Sequence, residues 1–209
     1  MAVLDTSATT QIGTIITTPP MADPFAIVLA FQVRQGRMLA NLAHVAEPRS
    51  APGVSDLAGR ILDYLMLELP GHLDDEEAIL IALESQPDVP AGLDAVADAL
   101  REEHGAIHKL LPPVMRGLRY LSVGRMPTAP KVFSGACAIL LEFMRLHAAY
   151  VQGTLLPLAR QLTGPDALSS LALDMACRRE ATGSRRLEVT GSRRRDATAG
   201  DGPALSGPP

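Results

Sequence analysis

Four long segments of the chain repeat apolar residues at intervals of three and four, and this spacing limits the fold more than any other feature. Residues at these intervals share one face of an α-helix, so each segment predicts a helix with one buried side. Short stretches rich in proline and glycine separate the segments and predict the connections between helices. The pattern therefore predicts an all-α, antiparallel up-down-up-down four-helix bundle. Its predicted helices cover residues 24–46, 55–85, 93–120 and 131–163.

The composition suits a helical protein. Apolar residues make up 47% of the chain, but aromatic residues make up only 3% and tryptophan is absent. A core of Leu, Ala, Ile, Val and Met favours helices over strands. Cys137 and Cys177 show neither metal-ligand spacing nor a disulfide framework, as is usual in a reducing cytosol. With no secretory signal and no uninterrupted apolar run of membrane-spanning length, the sequence predicts a soluble, cytoplasmic protein without a membrane partner.

Changes in composition divide the chain into four parts. Asp23-Pro24 predicts the start of the first helix, as an N-cap followed by proline in the first turn. Seven arginines between residues 178 and 195 leave two alternatives open. One is contact with nucleic acid or another acidic surface, and the other is a solvated tail. The predicted parts are a flexible segment at 1–22, the bundle at 23–163, a short fifth helix at 164–179, and a disordered tail at 180–209, which is rich in Arg, Gly, Ser and Pro.

Four of the five histidines lie in the last three predicted helices, at spacings that direct them into one space. Residues four apart share a helix face, as in His72-x3-Glu76 and His104-x3-His108. His147 lies on the inward face of the fourth helix. Burying five ionisable groups together is costly unless a shared cation compensates. Imidazole and carboxylate ligands on facing helices therefore predict a transition-metal site made of these five residues.

Two other metal chemistries do not fit the spacing. Ferritin-like di-iron sites need Glu three residues before a histidine, but Arg101 and Met144 occupy those positions. The zinc-protease pattern needs Glu directly after the first histidine of a pair, where Gly105 stands. Outside the metal ligands, no nucleophile or substrate pocket can be identified. The sequence therefore predicts a protein that is not an enzyme.

The pattern that remains resembles the hemerythrin-like family, the HHE cation-binding domain, over about residues 23–179. In that family the first helix supplies a His, the second His-x3-Glu and the third His-x3-His. The fourth helix supplies a His followed five residues later by Asp or Glu. Together, seven ligands hold a non-haem di-iron centre. Both middle motifs and His147 match this pattern, and the resemblance includes the stretches ELPGHLDDEE, LLPLARQL and MACRR.

Two family positions hold glutamine instead of a strong ligand. Gln32 stands where the first helix should supply its histidine, and Gln152 stands five residues after His147. Glutamine is a neutral, weak ligand compared with imidazole or carboxylate. The resemblance thus implies an incomplete iron site, either mononuclear or a weakened di-iron centre. It implies one iron on His104, His108 and His147, with Glu76 as a bridge and only His72 left for a second ion.

The expected function is non-haem iron binding, with dioxygen or nitric oxide bound or sensed as a small diatomic ligand. Two alternatives stay open. A metal-free bundle could act as an interaction or sensory module, an alternative that both glutamines favour. A mononuclear site could also perform oxidative or hydrolytic chemistry, although the sequence supplies no further catalytic group.

Overall fold

The structure, a computed structural model, describes residues 23–47 and 52–199, and most of these residues are helical. Those residues form five helices and no strand, which confirms the all-α prediction. The predicted flexible segment at 1–22 and the end of the predicted tail at 200–209 lie outside the described residues. The helices are α1 (Pro24–Ala46), α2 (residues 54–84), α3 (Leu93–Ser122), α4 (Pro130–Leu162) and α5 (Pro165–Ala199).

The helices begin at residues that satisfy free backbone groups or bend the chain. Asp23 Oδ1 accepts a hydrogen bond from the backbone N–H of Phe25 at 2.9 Å, which confirms the predicted N-cap of α1. Gly53 and Gly92 precede α2 and α3 with φ of 82° and 91°. Residues other than glycine rarely adopt this left-handed backbone conformation. Glycine at these two turns therefore fixes where each helix starts.

Buried apolar side chains form two groups, one towards each end of the helices. α1 and α3 each pack against both α2 and α4. One apolar group includes Leu73, Ile107 and Met144. The other includes Ile79, Leu100 and Val151. The buried polar side chains lie between these groups, so the apolar core encloses a polar layer; its members include Gln32, Gln35, His72, Glu76 and His147.

α2 and α4 each contain one π-helical turn shortly before a proline. Tyr64–Glu68 precedes Pro70, and Val151–Leu155 precedes Pro157. A proline inside a helix lacks an N–H donor and crowds the carbonyl four residues earlier. In the wider turn the N–H of Leu69 donates to the carbonyl of Tyr64, five residues back. The turns let both helices continue past their prolines.

α5 is longer than the sequence predicts. The short helix was expected to end at 179, but α5 continues to Ala199. Residues 176–189 consist mostly of Ala, Arg, Glu and Leu, which are good helix formers, and the cost of Gly183 is only about 1 kcal/mol. α5 packs against α1 and α2. The expected disorder between 180 and 199 is therefore corrected to helix.

One helix of the described residues, Pro130–Leu162, is long and apolar enough by composition to cross a membrane. Only 28% of its most apolar window is buried. Val132, Ile139 and Leu146 are more than half exposed. A single helix of this kind is weak evidence for a membrane protein, because a core helix of a soluble protein passes the same test.

Candidate metal centre

The carboxylate of Glu76 lies at the centre of the polar layer and is fully buried. Its Oε2 atom is 3.1 Å from His104 Nε2 and 2.9 Å from His147 Nε2. Its Oε1 atom is 2.9 Å from His72 Nε2, one turn earlier on α2. Three imidazoles from α2, α3 and α4 thus converge on one carboxylate. The structure brings together four of the five ligands that the sequence predicts.

The ligand atoms of Glu76, His104 and His147 are close enough to hold one metal ion. One oxygen and two nitrogens lie within 4.8 Å of one another. Bonds of about 2.0–2.2 Å from a metal to these atom types place ligand atoms up to roughly 4.4 Å apart. The rings of His104 and His147 meet edge to face, with centroids 5.3 Å apart. Glu76 Oε2 lies 3.1 and 2.9 Å from the two imidazole nitrogens, well inside this limit, so one ion could contact all three residues.

His72 contributes polar atoms that no hydrogen bond satisfies among the described residues. Its Nε2 lies close to Glu76 Oε1, but the two atoms are not aligned for a hydrogen bond. The Nδ1 atom of His72 is also buried without a partner. Phe31 stacks on the imidazole, with ring centroids 3.9 Å apart and planes inclined by 16°. A buried polar atom without a partner costs about 1–3 kcal/mol, so a cation beside Glu76 fits this donor set.

Glu103 belongs to the cluster, although sequence reasoning did not identify it. Its Oε2 atom lies 2.7 Å from His147 Nδ1, on the opposite side of the ring from Glu76. A carboxylate in this position orients a metal-binding histidine. The only signal in the sequence is that Glu102 and Glu103 directly precede His104. The helix pattern does not say which of them faces α4.

The charges of the cluster keep Glu76 ionised. Burial by itself raises the pKa of Glu76, but His72 and hydrogen bonds from His104 and His147 outweigh it and hold this pKa well below its ordinary value. Burial lowers the pKa of His147, but Glu76 and Glu103 outweigh burial and raise it. Glu76 is therefore a carboxylate, the form that binds metals. A metal ion that displaced the imidazole protons would leave two carboxylates, whose charge matches that of one divalent ion.

The two glutamines at positions where the resemblance implies ligands are paired with each other. Gln152 Nε2 donates a hydrogen bond to Gln32 Oε1 at 2.7 Å. Gln32 is buried, whereas Gln152, in the π turn of α4, is exposed. The residues lie on the helices where the resemblance places them. Their amides link α4 to α1.

His108 is a predicted ligand that does not reach the cluster. Its side chain is exposed, whereas that of Ile107 is fully buried. Successive helical residues are about 100° apart around the axis, so an inward Ile107 turns His108 outward. Leu100 and Leu111 share the buried face of Ile107, and His104 lies at its edge with 12% of its side chain exposed. The predicted His104–His108 pair is thus corrected to His104 alone.

Comparisons of the chain with protein families, curated proteins and solved structures gave no match. The geometry of the cluster and the spacing of its residues are therefore the grounds for a functional assignment.

Proposed function

We propose that this protein binds a transition-metal ion between α2, α3 and α4, through Glu76, His104 and His147. The observation that carries the proposal is the fully buried Glu76 carboxylate, with three imidazole nitrogens 2.9 to 3.1 Å away. Such a concentration of buried ionisable groups is costly without a shared cation. One divalent ion would balance the carboxylates of Glu76 and Glu103 and bind the imidazole lone pairs.

We further propose that α1 to α4 form an antiparallel up-down-up-down bundle of the hemerythrin-like type. Contacts that join an early part of one helix to a late part of its neighbour support this arrangement. The supporting pairs are Gln32 with Gln152 and Ala46 with Ser134 between α1 and α4, Gly59 with Ser122 and Glu76 with His104 between α2 and α3, and Val96 with Tyr150 and Gly117 with Phe133 between α3 and α4.

The metal that we propose is iron. Two imidazoles and one carboxylate are a donor set for mononuclear non-haem Fe(II) and leave coordination positions open. Iron in such a site can bind dioxygen or nitric oxide, so we propose that the protein binds or senses a diatomic gas. Cys137 and Cys177 are both free thiols. Free thiols support the proposed location in the reducing cytoplasm.

The test is the metal content of the protein after anaerobic reconstitution with Fe(II). We expect about one iron per chain. Binding of Co(II) in its place should give the visible d–d absorption bands of a cobalt ion with imidazole and carboxylate ligands. His104→Ala should lose the metal because it removes a ligand that contacts Glu76. His108→Ala is the matched control on the same helix and should keep it, because His108 is exposed.

Two results would contradict this proposal. Wild-type protein without stoichiometric iron, cobalt or zinc has no metal site of the proposed kind. Equal loss of metal in His104→Ala and His108→Ala would show that α3 is oriented as the family resemblance implies and not as in the structure.

A metal-free bundle acting as an interaction or sensory module is the second candidate function. The hydrogen bond between Gln32 and Gln152 favours it, because both residues stand where the family has ligands and they bond to each other. This alternative predicts that replacing His104 and His147 with leucine leaves the free energy of unfolding unchanged or raises it. The metal-binding proposal predicts that the same variant loses all stabilisation by added metal.

A further inference from the structure

A cavity of about 640 Å³ lies between α1, α2 and α5, on the side of α2 that faces α5. This volume is within the usual range of small-molecule sites. Small residues leave the space open, among them Ala26 and Ala30 on α1 and Gly71 on α2. Gly183 lines the cavity from α5. Thr182 and Gly183, two of the lining residues, lie beyond the end that the sequence predicts for α5.

One wall of the cavity is apolar. Ile27, Ala30 and Phe31 line it along successive turns of α1. Phe31 is partly buried, and its ring stacks on His72. An apolar ligand body placed against this wall would exclude water from the exposed parts of these side chains, which is the main source of affinity at such sites.

The end of the cavity at Asp75 carries an excess of positive charge. Asp75 is 2% exposed, and one carboxylate serves two guanidinium groups. Arg178 Nε donates to it at 2.7 Å and Arg179 Nη2 at 3.3 Å. Arg178 Nη2 has no hydrogen-bond partner among the described residues. Two cations beside one anion leave one positive charge at this end.

The other charged groups that line the cavity do not cancel this excess. At the far end, Arg34 pairs with Glu68 at 2.9 Å. Asp23 accepts a hydrogen bond from the first turn of α1, and the positive end of that helix dipole offsets its charge. The remaining polar side chains are those of His72, which lies between Phe31 and Glu76, and Thr182, whose hydroxyl donates to the carbonyl of Arg178. An anionic group of a ligand is therefore favoured beside Arg178 and Arg179.

We propose that this cavity binds a small monocarboxylic acid with an apolar body. Its carboxylate would lie against the guanidinium groups of Arg178 and Arg179, and its acyl or aryl body against Ile27, Ala30 and Phe31. Arginine suits the carboxylate because its planar donors match the two oxygens. His72 lines the cavity, but Glu76, His104 and His147, the ligands of the proposed metal, do not, so the proposal stands whether or not metal is bound.

Isothermal titration of the full chain with octanoate and 3-phenylpropionate tests the site. Both acids should bind saturably. Tighter binding of octanoate would indicate that the natural ligand has an acyl chain, and tighter binding of 3-phenylpropionate that it has an aryl group. Octan-1-ol should bind at least ten-fold more weakly than octanoate, since it lacks the carboxylate. Acetate should bind at least ten-fold more weakly as well, since it lacks the body. Equal affinity for octanoate and octan-1-ol, or no saturable binding of either acid, overturns the proposal.

Three variants separate the two parts of the site. Arg179→Gln should weaken binding of the acids at least ten-fold and leave octan-1-ol unchanged, while Arg178 still holds Asp75. Arg185→Gln is the matched control, because Arg185 is exposed on α5 and does not line the cavity. Ala30→Leu should fill the cavity and weaken every ligand. If Ala30→Leu does not fold, as judged by the absence of a cooperative unfolding transition, Ala26→Leu replaces it. Unchanged affinity for the acids in both Arg179→Gln and the leucine variant would refute the site.

Discussion

Glu103 and Glu76 contact opposite nitrogens of the His147 ring, whose side chain is completely buried. The carboxylate of Glu103 fixes the tautomer and the direction of this imidazole and makes it a stronger ligand. Glu103 is therefore a positioning residue for the proposed metal. It acts through His147 and does not itself contact the ion.

Replacing Glu103 with glutamine should weaken metal affinity by roughly 10- to 100-fold, the usual effect of removing such a partner. Competition with a chelating indicator measures the affinity. Glu102→Gln is the matched control, because Glu102 is the exposed neighbour on α3. Wild-type affinity in Glu103→Gln would show that this carboxylate does not support the site.

The two cysteines should differ in reactivity. Cys137 is buried, and burial raises the pKa of its thiol to about 12. Cys177 is exposed. Because the thiolate is the reactive form, iodoacetamide at neutral pH should modify Cys177 alone in the folded protein and both residues in denaturant. Mass spectrometry counts the adducts, and rapid modification of Cys137 in folded protein would contradict its burial.

Spacing predicted which residues of α2 and α4 enter the cluster, but it was less reliable on α3. His72 and Glu76 are four apart on one buried face, and His147 is on the inward face of α4. On α3, by contrast, the inward direction depends on how Ile107 packs in the core. That packing turns His108 out and Glu103 in, a rotation that a spacing of four residues does not specify.

At the scale of whole helices, the predicted boundaries of α1 to α4 agree with the structure because their signals are local. Aspartate, glycine and proline act on the backbone of the turn where they stand. The π turns were not predicted. Such a turn forms only where a helix continues beyond a proline instead of ending there. Packing against neighbouring helices decides that at Pro70 and Pro157, and local sequence does not specify it. The length of α5 was missed because arginine and glycine suggested a loop.

Gly117 of α3 lies directly against the ring of Phe133 on α4. A Cβ atom at this position would lie 2.0 Å from Cδ2 of Phe133, so the ring or the helix would have to move. Gly117→Ala should therefore lower the free energy of unfolding by about 1–3 kcal/mol, the usual cost of overpacking. Urea unfolding monitored by circular dichroism measures this change.

Gly135→Ala is the control for that variant. Gly135 is exposed on α4, and a Cβ atom there meets nothing within 4 Å. Alanine should raise the free energy of unfolding by about 0.5–1 kcal/mol, because glycine is a poor helix former. If Gly117→Ala is as stable as Gly135→Ala, α3 and α4 are not packed through Gly117 and Phe133.

For the molecule as a whole, metal binding and folding should be linked. The ligands Glu76, His104 and His147 come from three helices, so the unfolded chain does not hold them together. Metal at a concentration 100-fold above its dissociation constant should stabilise the fold by about 2.7 kcal/mol. For a chain of this size that raises the melting temperature by roughly 5–10 °C. Calorimetry with and without a chelator measures the shift, and Glu76→Gln should abolish it.

Asp75 and Glu76 are consecutive residues whose carboxylates serve different partners, one the arginines of α5 and the other the three imidazoles. One peptide unit of α2 thus joins the two proposed sites. An acid that draws Arg178 or Arg179 away from Asp75 changes the electric field at Glu76. Such coupling is reciprocal: the factor by which the acid changes metal affinity equals the factor by which the metal changes affinity for the acid. In such a protein, the fraction of chains that bind the metal would depend on the concentration of the acid, and the fraction that bind the acid would depend on the concentration of the metal.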